Sequence, residues 1–114
     1  MTIQYRNQGF TLPTSNLTTV LTISVTAVAI VKSVSIANIS TGAVIGKAKL
    51  HATRAPAADY IFFEQNISGK TTVQAANQVL NLEAGDVLKV QAASASTLEG
   101  VISYALLDRS QENG

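Results

Sequence analysis

The ten residues Val44-Ile45-Gly46-Lys47-Ala48-Lys49-Leu50-His51-Ala52-Thr53 alternate strictly. Val44, Gly46, Ala48, Leu50 and Ala52 fall on one side, and from Ile45 onward the other side carries Lys47, Lys49, His51 and Thr53. A period of two belongs to an extended strand with one buried face, because successive side chains point to opposite sides. The same alternation recurs in Leu88, Val90 and Ala92, which are separated by Lys89 and Gln91. From Leu98 to Leu107, Leu98, Gly100, Ile102, Tyr104 and Leu106 oppose Glu99, Val101, Ser103, Ala105 and Leu107. Both of those faces are fairly apolar, as in a strand covered on two sides or lying at a subunit contact. Ile30 to Ile39 reads as another long strand, with Ile30, Val34 and Ile36 on one face and Ser33, Ser35 and Ala37 on the other.

Shorter strands fit Val20–Ser24, Tyr60–Glu64, Lys70–Gln74 and Val79–Leu82. The breaks between them carry turn chemistry: Thr41-Gly42, Ala55-Pro56, Ser68-Gly69 and Ala84-Gly85-Asp86. Leu80 to Leu88 reads as two apolar strands around a short turn, Gly85 supplying the positive φ such a turn needs. No stretch holds a helical period for more than a turn or two. Short strands at this spacing predict an all-β fold, a single antiparallel β-sandwich or jelly roll of about eight strands. Its polar start makes residues 1–12 an N-terminal arm that orders on a neighbouring subunit and adds a strand to that partner's sheet. Residues 13–108 form the sandwich, and 109–114, without an apolar residue, a flexible tail.

Composition narrows the chemistry. The 114 residues suit one domain. With no cysteine there is neither disulfide nor thiolate metal site nor thiol nucleophile. Charged residues are 13% of the chain, about half the ~25% of ordinary domains. The net charge of +1, without clustered basic residues, excludes an electrostatic nucleic-acid binder. The N-terminus lacks the pattern of a secretory signal. Leu17 to Val31 is too interrupted by Thr and Ser to span a membrane as a helix. Sequons at Asn16, Asn38 and Asn66 are matches expected by chance in a chain this rich in Asn, Ser and Thr.

Catalytic patterns are scarce. His51, the single histidine, lies on the polar face of its strand, which suits a solvated or interface histidine better than a metal ligand. No G-x-S-x-G elbow accompanies it. Gly42 to Lys47 is one residue short of a phosphate-loop spacing and leads into a strand rather than a helix. Glu83 and Asp86 flank Gly85, where carboxylates accept hydrogen bonds from turn amides. The reading is therefore of no enzyme, with no catalytic, cofactor or metal residues. Tyr60 and Phe62 fall on one face of their strand and Phe63 on the other, so one face shows aromatic surface to a partner subunit or, less favourably, to a sugar. Candidate interface residues are Tyr5, Arg6, Phe10, Tyr60, Phe62, Val101 and Leu107.

Four segments resemble small virion proteins of tailed bacteriophages, including phages of cyanobacteria. They are Tyr5-Arg6-Asn7-Gln8-Gly9, Ala29 to Asn38, Leu80 to Ala92 and Leu98 to Tyr104. The resemblance implies a β-sandwich that joins the particle by decorating and cementing the capsid, or that sits in the neck, tail or fibre. It implies a virion location, the capsid surface first, after synthesis in the host cytoplasm. Its partners would be the major capsid protein or another virion protein, with no nucleic acid and no membrane, and a homotrimer by analogy with decoration proteins on threefold sites. A carbohydrate-binding or adhesin module is the reading from another class.

Overall fold

The computed structural model describes residues 2–53, 58–76 and 78–108. Among these residues nine strands run in order: β1 (Thr2–Thr11), β2 (Thr18–Thr22), β3 (Ala27–Asn38), β4 (Val44–Ala52), β5 (Ala58–Ile67), β6 (Thr72–Ala76), β7 (Leu80–Leu82), β8 (Val87–Ala92) and β9 (Leu98–Asp108). They form two antiparallel sheets. In sheet A the order is β1-β9-β3-β6, with β7 also on β3; in sheet B it is β2-β8-β4-β5. β6 pairs with Val34–Ala37 and β7 with Ala29–Val31, so the two short strands share one lane beside β3. The pairs β1·β9, β2·β8, β3·β6/β7 and β4·β5 are nested like the arms of one long rolled hairpin. That is the jelly roll, and the fold class expected from the alternation is the one found.

The core lies between the sheets. Ala29, Val31, Val34, Ile36, Leu98 and Ile102 face it from sheet A; Val44, Ala48, Ile67, Leu88, Val90 and Ala92 face it from sheet B. β9 pairs with β1 in unbroken register over residues 99–108, so Leu98, Gly100, Ile102, Tyr104 and Leu106 share one face as the sequence predicts. Elsewhere β-bulges shift the phase, since one extra residue in a strand moves everything beyond it to the other face. A register shift between Val31 and Ser33 inserts Lys32 into β3, so Ala29 and Val31 point inward before it and Val34 and Ile36 after it. Ile30, expected on the face of Val34 and Ile36, therefore lies on the outer face. Comparable shifts leave Val20 and Leu21 both buried in β2, and Ala75 and Ala76 both buried in β6.

Two further expectations change. Residues 2–11, read as an arm ordered on a neighbour, lie in unbroken register along β9 of their own chain. Backbone pairing needs no apolar side chains, so a polar strand serves at the end of a sheet. Leu80 to Leu88 is not a hairpin: β7 joins sheet A through β3, and β8 joins sheet B. Gly85 does take φ +83°, but its turn carries the chain across the sandwich. Leu82 and Leu88 both enter the core from opposite sheets. Asp86, buried, ties the corner by accepting hydrogen bonds from Glu83 N (2.9 Å) and Thr53 N (3.2 Å), as expected of a turn carboxylate. The Ala55-Pro56 turn and the 109–114 tail lie outside the described residues.

Candidate functional site

The outer faces of the two sheets differ in chemistry. On sheet A, register aligns Ile3 of β1, Leu107 of β9 and Val28 of β3 in one row. The next row is Tyr5, Ala105 and Ile30, continued by Asn81 of β7. Tyr5 is 74% and Ile3 53% exposed, and Val28 and Ile30 are exposed as well. Lys32 holds its ammonium 4.8 Å from the Tyr5 ring centroid, a cation–π contact at the margin of this apolar end. Further along, the rows turn small and polar: Asn7-Ser103-Ser33, then Gly9-Val101-Ser35, then Thr11-Glu99-Ala37. Those last two rows, with Thr72, floor an open concavity of about 560 Å³.

Sheet B turns charged side chains outward. Lys47 approaches Glu64 (3.8 Å), while Asp59 meets His51 Nδ1 at 2.6 Å and Lys89 at 3.7 Å. The hydrogen bond with His51 holds the Asp59 carboxyl below its ordinary value, and the charges of Lys89, His51 and Lys49 act in the same direction. His51 is thus a half-exposed histidine paired to a carboxylate across β4 and β5, consistent with the placement its strand phase predicts.

Of the seven candidate interface residues, Tyr5, Val101 and Leu107 share the outer face of sheet A. Arg6 and Phe10 project from the other side of β1. Arg6 donates to Gln4 Oε1 (2.9 Å from Nε), and Phe10 packs half-buried against the core over Gly100. Tyr60 and Phe62 lie on β5, at the far end of sheet B. There the register shift between Ala48 and Lys49 makes Phe62 the extra residue, and Phe62 and Phe63 both pack against the core. Tyr60 is left exposed beside Ile61, so the expected aromatic pair on one face is not assembled. Sequence reading missed Ile3, Val28 and Ile30. The signal for Val28 and Ile30 was the run Ala27-Val28-Ala29-Ile30-Val31, whose alanines mark the tightly packed inner face once the bulge at Lys32 is known. The sequon at Asn38 is also spoken for: Asn38 is buried, donating from Nδ2 to the carbonyls of Gly42 (2.8 Å) and Ile67 (2.9 Å).

No protein-family model matches the chain, and no curated protein matches it at a significant level. Solved structures are similar in fold. One is a chain from the acid-stable capsid of Helicobacter pylori bacteriophage KHP30, with TM-score 0.59 and 12% identity, covering 96% of this chain and 90% of that one. Another comes from Bacillus endospore appendages, described as disulfide-linked pili, with TM-score 0.55 and 7% identity over 94% of this chain and 87% of that one. A third belongs to the T13 particle of infectious bursal disease virus, with TM-score 0.55 and 8% identity; it covers 91% of this chain, which spans 30% of that one. At these identities the likeness is one of fold.

Proposed function

We propose that this chain is a structural subunit of a bacteriophage particle that decorates and cements the capsid by binding across neighbouring capsid subunits. The observation that carries the reading is the asymmetry of the two outer faces. Ile3, Tyr5, Val28, Ile30 and Leu107 form a contiguous apolar surface on sheet A, of the kind that marks a protein contact. Sheet B, with its lysines and carboxylates, suits the hydrated side. The work of such a subunit is interface area rather than catalysis, which fits a chain with 13% charged residues. The fold it shares with a chain of a phage capsid structure supports the same reading. A pilus role is less favoured, because a chain without cysteine lacks the linkage named for the endospore appendages.

Quantitative peptide mass spectrometry of virions from the phage encoding the chain tests the proposal. The decoration role predicts copies on the order of hundreds per particle, as multiples of a symmetric shell require. A neck, tail or fibre part would be present in far fewer copies. Absence from the particle would overturn both. The sugar-binding alternative loses its main support where Phe62 packs against the core, so Tyr60 and Phe62 do not form an exposed aromatic pair. A trimer rests on analogy alone; the contact between copies that the sheet geometry favours is of another kind.

A further inference from the structure

Each jelly-roll sheet has two edges, and long unprotected edges invite strand pairing. Three of the four edges here are blunted. β2 has five residues and a bulge at Val20. β5 is bulged at Phe62 and carries Asp59 and Glu64. The β6/β7 lane is split into two short strands. β1 is the exception: ten residues in unbroken register, no proline, no lysine, and a single charge at Arg6. Its side away from β9 carries no strand among the described residues.

We infer that the free edge of β1 is a docking site for β1 of a second copy, pairing antiparallel about a two-fold axis centred on Asn7. The register follows from three constraints. A two-fold axis normal to the sheet keeps outward residues beside outward ones, so partners i and j must have an even sum. A sum of 12 sets Arg6 against Arg6, a like-charge pair that opposes association. A sum of 10 leaves residues 2–8 overlapping, whereas a sum of 14 overlaps residues 3–11. In that longer register Arg6 meets Gln8, a donor against an acceptor, and Asn7 meets itself. Tyr5, the most exposed aromatic, meets Gly9, which puts no side chain in its way. The pairing joins two A sheets into one and sets both apolar ends on the same side, giving one surface with two attachment points. It does not rest on the virion reading, since edge pairing between copies is a property of the chain in solution.

The lack of native cysteine permits a register scan with single-cysteine variants. Tyr5→Cys and Asn7→Cys each place a thiol on the axis of one register, with sums of 10 and 14, and both keep the Arg6 charge that opposes the sum of 12. Under mild oxidation Asn7→Cys should form a covalent dimer roughly tenfold faster than Tyr5→Cys, because only thiols facing each other across adjacent strands meet disulfide geometry. Sedimentation equilibrium of the unmodified chain should show a dimer, and Asn7→Lys, which sets like charges on the axis, should raise its Kd about fivefold. Circular dichroism establishes that each variant is folded; if Asn7→Lys is not, the cysteine scan decides. An unmodified chain that stays monomeric, cross-linking at Tyr5 as fast as at Asn7, or a Kd unmoved in folded Asn7→Lys would each overturn the inference.

Discussion

Asn38 is the most informative single position for the fold. It ends β3, is 1% exposed, and fastens three segments at one end of the sandwich. Its Nδ2 donates to the carbonyls of Gly42 (2.8 Å) and Ile67 (2.9 Å), while its Oδ1 accepts from Ser40 N (2.9 Å) and Ser40 Oγ (2.6 Å). Asn38→Ala removes all four bonds. The three part-buried bonds are worth about 0.5–1 kcal/mol net each, and depriving the buried Ile67 carbonyl of its Asn38 donor costs about 1–2 kcal/mol, so the total loss is about 3–4 kcal/mol. At roughly 4 °C per kcal/mol for a chain of about this length, the Tm should fall by about 12–16 °C. Urea melts followed by far-ultraviolet circular dichroism, with an unchanged m-value, give the free energy directly. Asn38→Asp sharpens the test, because a carboxylate would then face two carbonyl oxygens. The folded state raises that group's pKa above the unfolded ~3.9, so the deficit is full at neutral pH and shrinks as pH falls through the raised folded value. A loss under about 1 kcal/mol for Asn38→Ala would mean that Asn38 does not hold this junction, since four bonds at a buried site cost more than that to remove.

Other positions make separate tests. A Cβ on Gly100 would lie 2.1 Å from the Ser35 carbonyl oxygen and 2.6 Å from Phe10 Cζ. Gly100→Ala should therefore cost about 3 kcal/mol in denaturant melts, and adding Phe10→Ala should not restore it, because the Ser35 backbone stays in the way. The depressed Asp59 carboxyl contributes stability above its ordinary value of 3.8 that is lost as pH falls through its lower folded value. His51→Ala removes the largest cause, so thermal melts from pH 5 downward should show a shallower acid decline than the parent. Ile30→Lys, on the outer face of sheet A, should change stability by no more than about 0.5 kcal/mol. Pull-down of the variant with purified capsids lacking the chain should nonetheless show lost binding.

How much of this was legible in the sequence depends on where the alternation held. β4, β8 and β9 carry clean period-two patterns, and their faces were readable. β3 was readable as a strand but not in phase, because nothing in Val31-Lys32-Ser33-Val34 announces that Lys32 is a bulge rather than an outward residue. The same device at Phe62 turned an apparent aromatic surface into core packing. β1 was hidden because a sheet-end strand is exposed on both faces and therefore shows no apolar alternation. The Gly85 turn was correctly placed and its φ correctly expected, yet a turn's local chemistry does not say which sheet the next strand joins. The apolar surface of sheet A is built from three strands distant in the chain. Only register brings Ile3, Leu107 and Val28 side by side.

As a virion subunit, the chain should lie with sheet A against its partner. Electron cryo-microscopy of the intact phage tests it in one map. The map should show jelly-roll density bound across neighbouring capsid subunits, with Ile3, Tyr5, Val28, Ile30 and Leu107 in the contact and the Lys47, Lys49 and Lys89 face toward solvent. Particles without that density, or with sheet B against the shell and sheet A bare, would contradict it.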